Sequence, residues 1–408
     1  MTRKSNVAKS TLDMKRVAAV GEKLRRLKDE LTVIFPERRH LIEQIIYAML
    51  TQEHVLVFGT FGTGKTDLIH TLFSCITAAR IFPIGLSKFM TEAHIIGIPD
   101  PKVMREKGDI LYRRDGGILD ADFAELDELF DSNPPLLRVL LGILNERQFK
   151  RGRQVEDAKL HTAIACTNGD PAEEMRKHPE LGAVIDRFLF LSRVRYLQGA
   201  DSRRLMYTKY LEGSKPTVSI PLEDLKYASS IVVDANQITD PLIIDTYDRV
   251  IDGYQKQVQD QVISDRRRCK LFQLIEANAL LFGRFDVDLE DIMAIRWGLC
   301  IGNDERQHDA FKAVAEPVIA EGKKRQQQSI DELQVRLLNE LAAKIPTVPQ
   351  QGQCTSDELV KLSRALTALR GEVEKVKPQL PSTQDKKHQI ISAIEASSGQ
   401  ILQMITNG

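Results

Sequence analysis

Residues Gly59–Thr66 read GTFGTGKT, and the fold is decided by what stands on either side of them. Gly59, Gly62 and Gly64 let the backbone turn inward, so that the amides of Thr60, Phe61, Thr63 and their neighbours can face one anion. Lys65 brings a positive charge to terminal phosphates, and the Thr66 hydroxyl suits magnesium. Before the loop, Val55–Phe58 is a short apolar run that reads as a buried strand. After it, Asp67–Ala79 reads as a helix and Arg80–Ile84 as a second strand.

Working outward, Phe123–Leu126 and His161–Cys166 are further strand-like runs with helical segments between them. Such alternation predicts an α/β fold, a parallel sheet flanked by helices. The first of these runs ends in Asp127 and Glu128. Phosphoryl transfer to water needs a metal anchor and a group that positions the water, and this pair supplies both, Asp127 for magnesium and Glu128 for the water. Glu125 departs from the apolar pattern of such a strand, so the strand is expected either to expose that side or to be shorter than drawn.

Upstream, Val17, Val20, Leu24, Leu27 and Leu31 recur at helical spacing, and a second helix is expected over Glu37–Leu50. Downstream, Ser214, Lys215 and Pro216 read as a linker, after which nearly every periodic segment is helical. The expected domains are an α/β core over 1–213, an all-helical domain over 214–320 and a helical tail over 321–408. Lys323–Arg325 and three glutamines carry the chain into the tail. There Leu359, Leu362, Leu366, Leu369, Val373 and Val376 predict a helix that Thr355 and Glu358 cap, followed by one bearing Ile391, Ile394, Ile401 and Ile405. Prolines 346, 349, 378 and 381 favour a helical hairpin or three-helix unit over a single rod.

Composition narrows the function further. Lys plus Arg and Asp plus Glu both total 57, so no global field steers the protein to nucleic acid or an anionic membrane. The cysteines Cys75, Cys166, Cys269, Cys300 and Cys354 form no CxxC pair, which fits a reducing, cytoplasmic setting and no zinc site. No stretch reaches the roughly 18 apolar residues of a membrane span, and the basic N-terminus lacks the apolar core of a secretory signal. The histidines, His40, His54 and His94 among them, form no HExxH or His/Cys cluster.

The loop together with LDELF, NPPLLRVLLGILNERQF, ACTNGDP, AVIDRFLF and SDRRRCKLFQLIEANALLFGR resembles the AAA+ ATPases, and within them the MoxR family, nearest to its RavA-type branch. The resemblance covers about residues 20–310. It implies an AAA+ core followed by a helical lid, ATP and Mg2+ as cofactors, and a hexameric ring of identical chains. It assigns Asn168 to the first sensor, Arg187 to the arginine finger that enters a neighbour's nucleotide site, and Arg266 to the second sensor, with Arg267 beside it as a competitor; whether Arg266 acts within its own chain or on the neighbour is open. Phe130 and Asp131 stand where many relatives carry an arginine. Gly108–Gly117 and Gln148–Leu160, the latter with Lys150, Arg151 and Arg153, are candidates for the hairpins that the family inserts to face the ring's opening, a basic surface turn being the alternative. The implied partner is a protein client or co-chaperone with a von Willebrand factor A domain. Two rival readings are a nucleic-acid motor, disfavoured by the balanced charge, and a nucleotide-gated scaffold with little turnover.

Overall fold

The structure is a computed structural model and describes residues 13–108, 112–113, 115–151, 154–179, 181–234, 240–258, 263–350, 354–378 and 381–406. It divides into two compact units, Met1–Ile319 and Ala320–Gly408.

In chain order the strands are β1 (Val55–Phe58), β2 (Ile76–Thr77), β3 (Ile81–Gly85), β4 (Phe123–Asp127), β5 (Gln148–Arg151), β6 (Gln154–Asp157), β7 (Thr162–Thr167), β8 (Phe190–Arg193) and β9 (Ile220–Pro221). Five of them form one sheet in the order β3-β4-β7-β1-β8, and every pair in it is parallel. The alternation of strand side chains separates two apolar layers. Val55, Val57, Phe123, Ile164, Cys166 and Phe190 join one core; Leu56, Phe58, Ala124, Leu126, Ala163 and Ala165 join the other. Because both faces are covered, the strands read as apolar runs rather than as alternating ones.

Helix α1 (Met14–Ile34) buries the five apolar positions read from its spacing, and the Asp13 side chain accepts from the Arg16 amide at its start. Helix α2 (Arg39–Thr51) is buried at every residue from Leu41 to Thr51, as a helix with apolar residues all round must be. It packs against α1, β8 and the helices Leu222–Asp234 and Asp265–Leu281. It starts two residues later than the sequence suggested, because Glu37 takes a left-handed φ of 61° and gives its carboxylate to the amides of Gln198 and Gly199.

Helix α3 (Lys65–Ser74) begins at the loop lysine itself and ends before β2, which pairs in parallel with β9. That two-stranded sheet is absent from the sequence reading, since two residues are too few to carry a period. After β9 come the helices Leu222–Asp234, Pro241–Gln257 and Asp265–Leu281, then a 3-10 turn over Leu289–Ile295.

The helix Glu305–Ala342 contains Pro317 and runs through the charged stretch Lys323–Gln328 without a break, in keeping with the high helix propensity of Lys, Arg and Gln. In the second unit, Leu366, Leu369 and Val373 of the helix Ser356–Lys375 meet Ile390, Ile394 and Ile401 of the helix Pro381–Thr406, together with Leu338 and Leu341. The stripes therefore pack within the chain. Thr355 and Glu358 form the expected capping box.

Candidate active site

The loop follows β1 at the C-terminal edge of the sheet. Gly59 has a φ of 142°, and a Cβ there would lie 2.0 Å from the Val194 carbonyl oxygen, so only glycine fits. Gly62 and Gly64 are also left-handed, but a Cβ on either would meet nothing within 4 Å. The cradle they frame is open. Lys65 Nζ donates to the Gly59 carbonyl at 2.8 Å, the Thr60 carbonyl at 3.1 Å and Asn168 Oδ1 at 3.3 Å. Burial lowers the lysine's proton affinity, while Cys166 and Asp127 oppose that shift.

Register brings the remaining groups to the same edge. Phe58, the last residue of β1, pairs with Thr167, so Asn168 emerges beside the loop. Leu126 pairs with Ala165, which sets Asp127 and Glu128 at the end of the adjacent strand. The Glu128 amide donates to Asp127 Oδ1 at 3.0 Å. Glu128 itself holds a φ of 55°, a left-handed conformation uncommon outside glycine and frequent where strain serves a site.

Glu125 resolves neither of the ways its sequence position suggested. Strand β4 keeps its full length and Glu125 is only 7% exposed. Its Oε1 has no hydrogen-bond partner. Burial raises its carboxyl pKa, His70 opposes the shift and Asp127 adds to it. Beneath the same groups, burial pushes the Cys166 thiol up to about 12, so it stays a neutral wall.

Residues with no motif of their own brace the loop. Arg38 Nη2 donates to the carbonyls of Thr63 at 3.3 Å and Arg195 at 2.8 Å, and the Tyr196 hydroxyl donates to the Phe61 carbonyl at 3.1 Å. With Glu37 they tie the segment before α2 and the segment after β8 to the loop. Sequence reading missed all three, because all of these contacts but that of Arg38 with Thr63 join positions more than a hundred residues apart.

The two arginines assigned by resemblance lie elsewhere. Arg187 precedes β8, whose first residue Phe190 pairs with Val55, the first of β1. It therefore sits toward the N-terminal edge of the sheet, the end opposite the loop. Its Nη1 donates to Asp186 at 3.1 Å. Burial first and the charge of Arg266 second hold its pKa below the usual arginine value. Arg187 also lines a groove of about 680 Å³ with Pro134, Arg138, Asn145, Glu146 and Lys150. Arg267 is different: buried, it donates to the carbonyls of Leu189 at 2.8 Å and Gly298 at 2.5 Å. It joins the helix Asp265–Leu281 to the segment leading into β8. Of the two hairpin stretches, β5 and β6 form an antiparallel hairpin whose tip, Gly152 and Arg153, lies outside the described residues. Gly108–Gly117 is described only in part, with Pro99 bridging Tyr112.

A hydroxyl at Thr66 and a carboxylate at Asp127 are hard oxygen donors that fit Mg2+, which keeps several waters and takes few protein ligands. Among the described residues no three His, Cys, Asp or Glu side chains gather as a metal cage. A cation here would share its coordination with phosphate.

A parallel sheet of this order, with a phosphate loop after its first strand, paired acids ending the next strand but one and an asparagine between them, defines a P-loop protein of the AAA+ class. Comparison with known proteins agrees. Residues 22–223 match the MoxR domain of the MoxR-vWA-beta-propeller ternary systems, and residues 243–314 match an AAA lid domain. The chain belongs to the MoxR family of AAA+ ATPases. An uncharacterised protein of Methanocaldococcus jannaschii is 28% identical over 88% of this chain and 91% of its own length. A second from the same organism is 30% identical over 67% and 70%. The chaperone MoxR1 of Mycobacterium tuberculosis is 24% identical over 60% of this chain and 62% of its own. A crystal structure from Cytophaga hutchinsonii, assigned as an ATPase, shares the fold with a TM-score of 0.54 and 17% identity, covering 75% of this chain and 96% of that one. Among the described residues no helix is long and apolar enough to cross a membrane.

Proposed function

We propose that the protein hydrolyses ATP with Mg2+ at a site shared between neighbouring copies, and uses the cycle to remodel or activate a protein partner that carries a von Willebrand factor A domain. The observation that carries this reading is the split of the site. Lys65, Asp127, Glu128 and Asn168 gather at the C-terminal edge of the sheet, while Arg187 stands toward the other end.

The separation supports a reading in which Arg187 serves a neighbouring chain. From Phe190 to Arg193 a strand advances about 10 Å at roughly 3.3 Å per residue, and Arg187 lies three residues further back. That exceeds what its own side chain covers. We therefore assign Arg187 to the next copy's nucleotide, and place Arg266 with it as the second sensor. Identical chains repeating this head-to-tail contact close into a ring, which we take to be a hexamer.

Within each site the loop amides and Lys65 hold the phosphates, and Thr66 and Asp127 would hold the magnesium, which would supply positive charge against the phosphoryl oxygens. Glu128 orients the attacking water and takes its proton, and the Asn168 amide fixes the water's approach. The neighbour's Arg187 stabilises charge on the γ-phosphate as the bond to the leaving group breaks.

The RavA-type affinity of the motifs and the naming of the matched MoxR domain agree on a von Willebrand factor A partner. The helical unit Ala320–Gly408 is where we place its docking, and Lys150 with the rest of the hairpin Gln148–Leu160 is where we place contact with a client. Free thiols at all five cysteines support a cytoplasmic setting. Steady-state phosphate release by wild type and Glu128→Gln tests the reading. The variant should bind ATP and lose roughly 10²- to 10⁴-fold in turnover; equal, near-zero rates for both would leave only a nucleotide-gated scaffold.

A further inference from the structure

Glu125 is the feature of the site that the ATPase reading does not use. It stands in the middle of a buried strand with one carboxylate oxygen unpartnered, a position where a leucine would remove the desolvation cost. Its place relative to the metal ligands follows from two periods. On β4, Phe123, Glu125 and Asp127 share a face at spacing two; on α3, Thr66, His70 and Phe73 share a face at spacings of four and three.

The two rows run past each other. Phe73 stacks on Phe123 with ring centroids 4.6 Å apart. Continuing in step, Thr66 reaches the level of Asp127. Glu125 therefore occupies the row directly beneath the pair that holds magnesium.

We propose that Glu125 is a positioning residue for the magnesium shell, accepting a hydrogen bond from a metal-bound water and so fixing the cation against Thr66 and Asp127. The inference rests on the nucleotide reading given above. Two residues along a strand separate Glu125 from Asp127 by about 6.6 Å. A path from the Asp127 oxygen through Mg2+ to a bound water takes two steps of about 2.1 Å. One hydrogen bond of about 2.7 Å completes it, for about 6.9 Å in all. A separation of this order is one that a single water can bridge.

The test is the ratio of affinities for β,γ-imido-ATP with and without Mn2+, measured on the full chain for wild type, Glu125→Leu and Glu125→Gln. Outer ligands of this kind change metal affinity by about 10- to 100-fold. Glu125→Leu should lower the ratio at least about tenfold while binding in the absence of metal stays as in wild type. Glu125→Gln, which keeps an acceptor oxygen, should lose about threefold or less. If the leucine variant does not fold, Glu125→Asp, one methylene shorter, should show the same tenfold fall.

An unchanged ratio, or an equal loss with and without metal, would make Glu125 a structural residue and overturn the inference, leaving the ATPase reading intact. Failure of wild type to bind the nucleotide under either condition would instead remove both.

Discussion

Gly59 shows how sharply one residue can be constrained. A methyl group there would sit 2.0 Å from the Val194 carbonyl oxygen, and backbone cannot move aside as a flexible side chain would. Gly59→Ala is expected to cost about 2 kcal/mol or more in urea unfolding and to abolish nucleotide binding, whereas Gly62→Ala meets only the dihedral cost of about 1 kcal/mol. Such residues were legible in the sequence because the requirement is local: a turn, an anion and a lysine within eight positions. Glu37, Arg38 and Tyr196 were not, because nothing near them in the chain reveals which carbonyl or amide they will meet. Glu125 was legible as an anomaly, but its burial was not, since a strand's depth depends on what covers it.

Elements separate functions that the sequence ran together. Arg266 and Arg267 are adjacent on the helix Asp265–Leu281, and the motif alone left them as competitors. The structure buries Arg267 in bonds to two carbonyls. Arg267→Ala should therefore lower the melting temperature, by an amount equivalent to about 2 kcal/mol or more. Arg266→Ala should leave melting unchanged and reduce turnover.

At the far end of the sheet, His161 Nε2 meets the Met49 carbonyl, and His54 accepts from the Ala163 amide through Nδ1 while its Nε2 meets the Leu144 carbonyl. Both rings are held neutral by burial, with the His161 pKa pushed down from 6.5 to about 4 and that of His54 well below its usual value. An unfolded chain takes these protons near pH 6.5 and the folded one resists them. The stability contributed by His161 is therefore complete above about pH 6.5 and is lost as pH falls toward about 4, at about 1.4 kcal/mol per pH unit. Urea midpoints between pH 7.5 and 4 should show this slope, and His161→Asn should flatten its share.

Across the whole molecule, the groups assigned to catalysis under the proposed function lie at two ends of the sheet, Lys65, Asp127, Glu128 and Asn168 at one and Arg187 at the other. Mixing Lys65→Ala chains, which cannot hold nucleotide, with Arg187→Ala chains, which cannot assist a neighbour, should restore part of the turnover that each lacks alone. Absence of rescue in rings shown by mass to be mixed would place Arg187 outside the reaction. This arrangement was legible only as a resemblance, because spacing along a chain says nothing of which end of a sheet a residue reaches. Register supplied that.

The resting posture of Lys65 bears on the tempo of such a machine. Its ammonium already satisfies itself on the Gly59 and Thr60 carbonyls and on Asn168, so arriving phosphates must displace three partners rather than enter a vacant charge. The loop is its own competitor for the lysine. On the proposed reading, those carbonyls would compete with phosphate for the ammonium at every exchange of nucleotide.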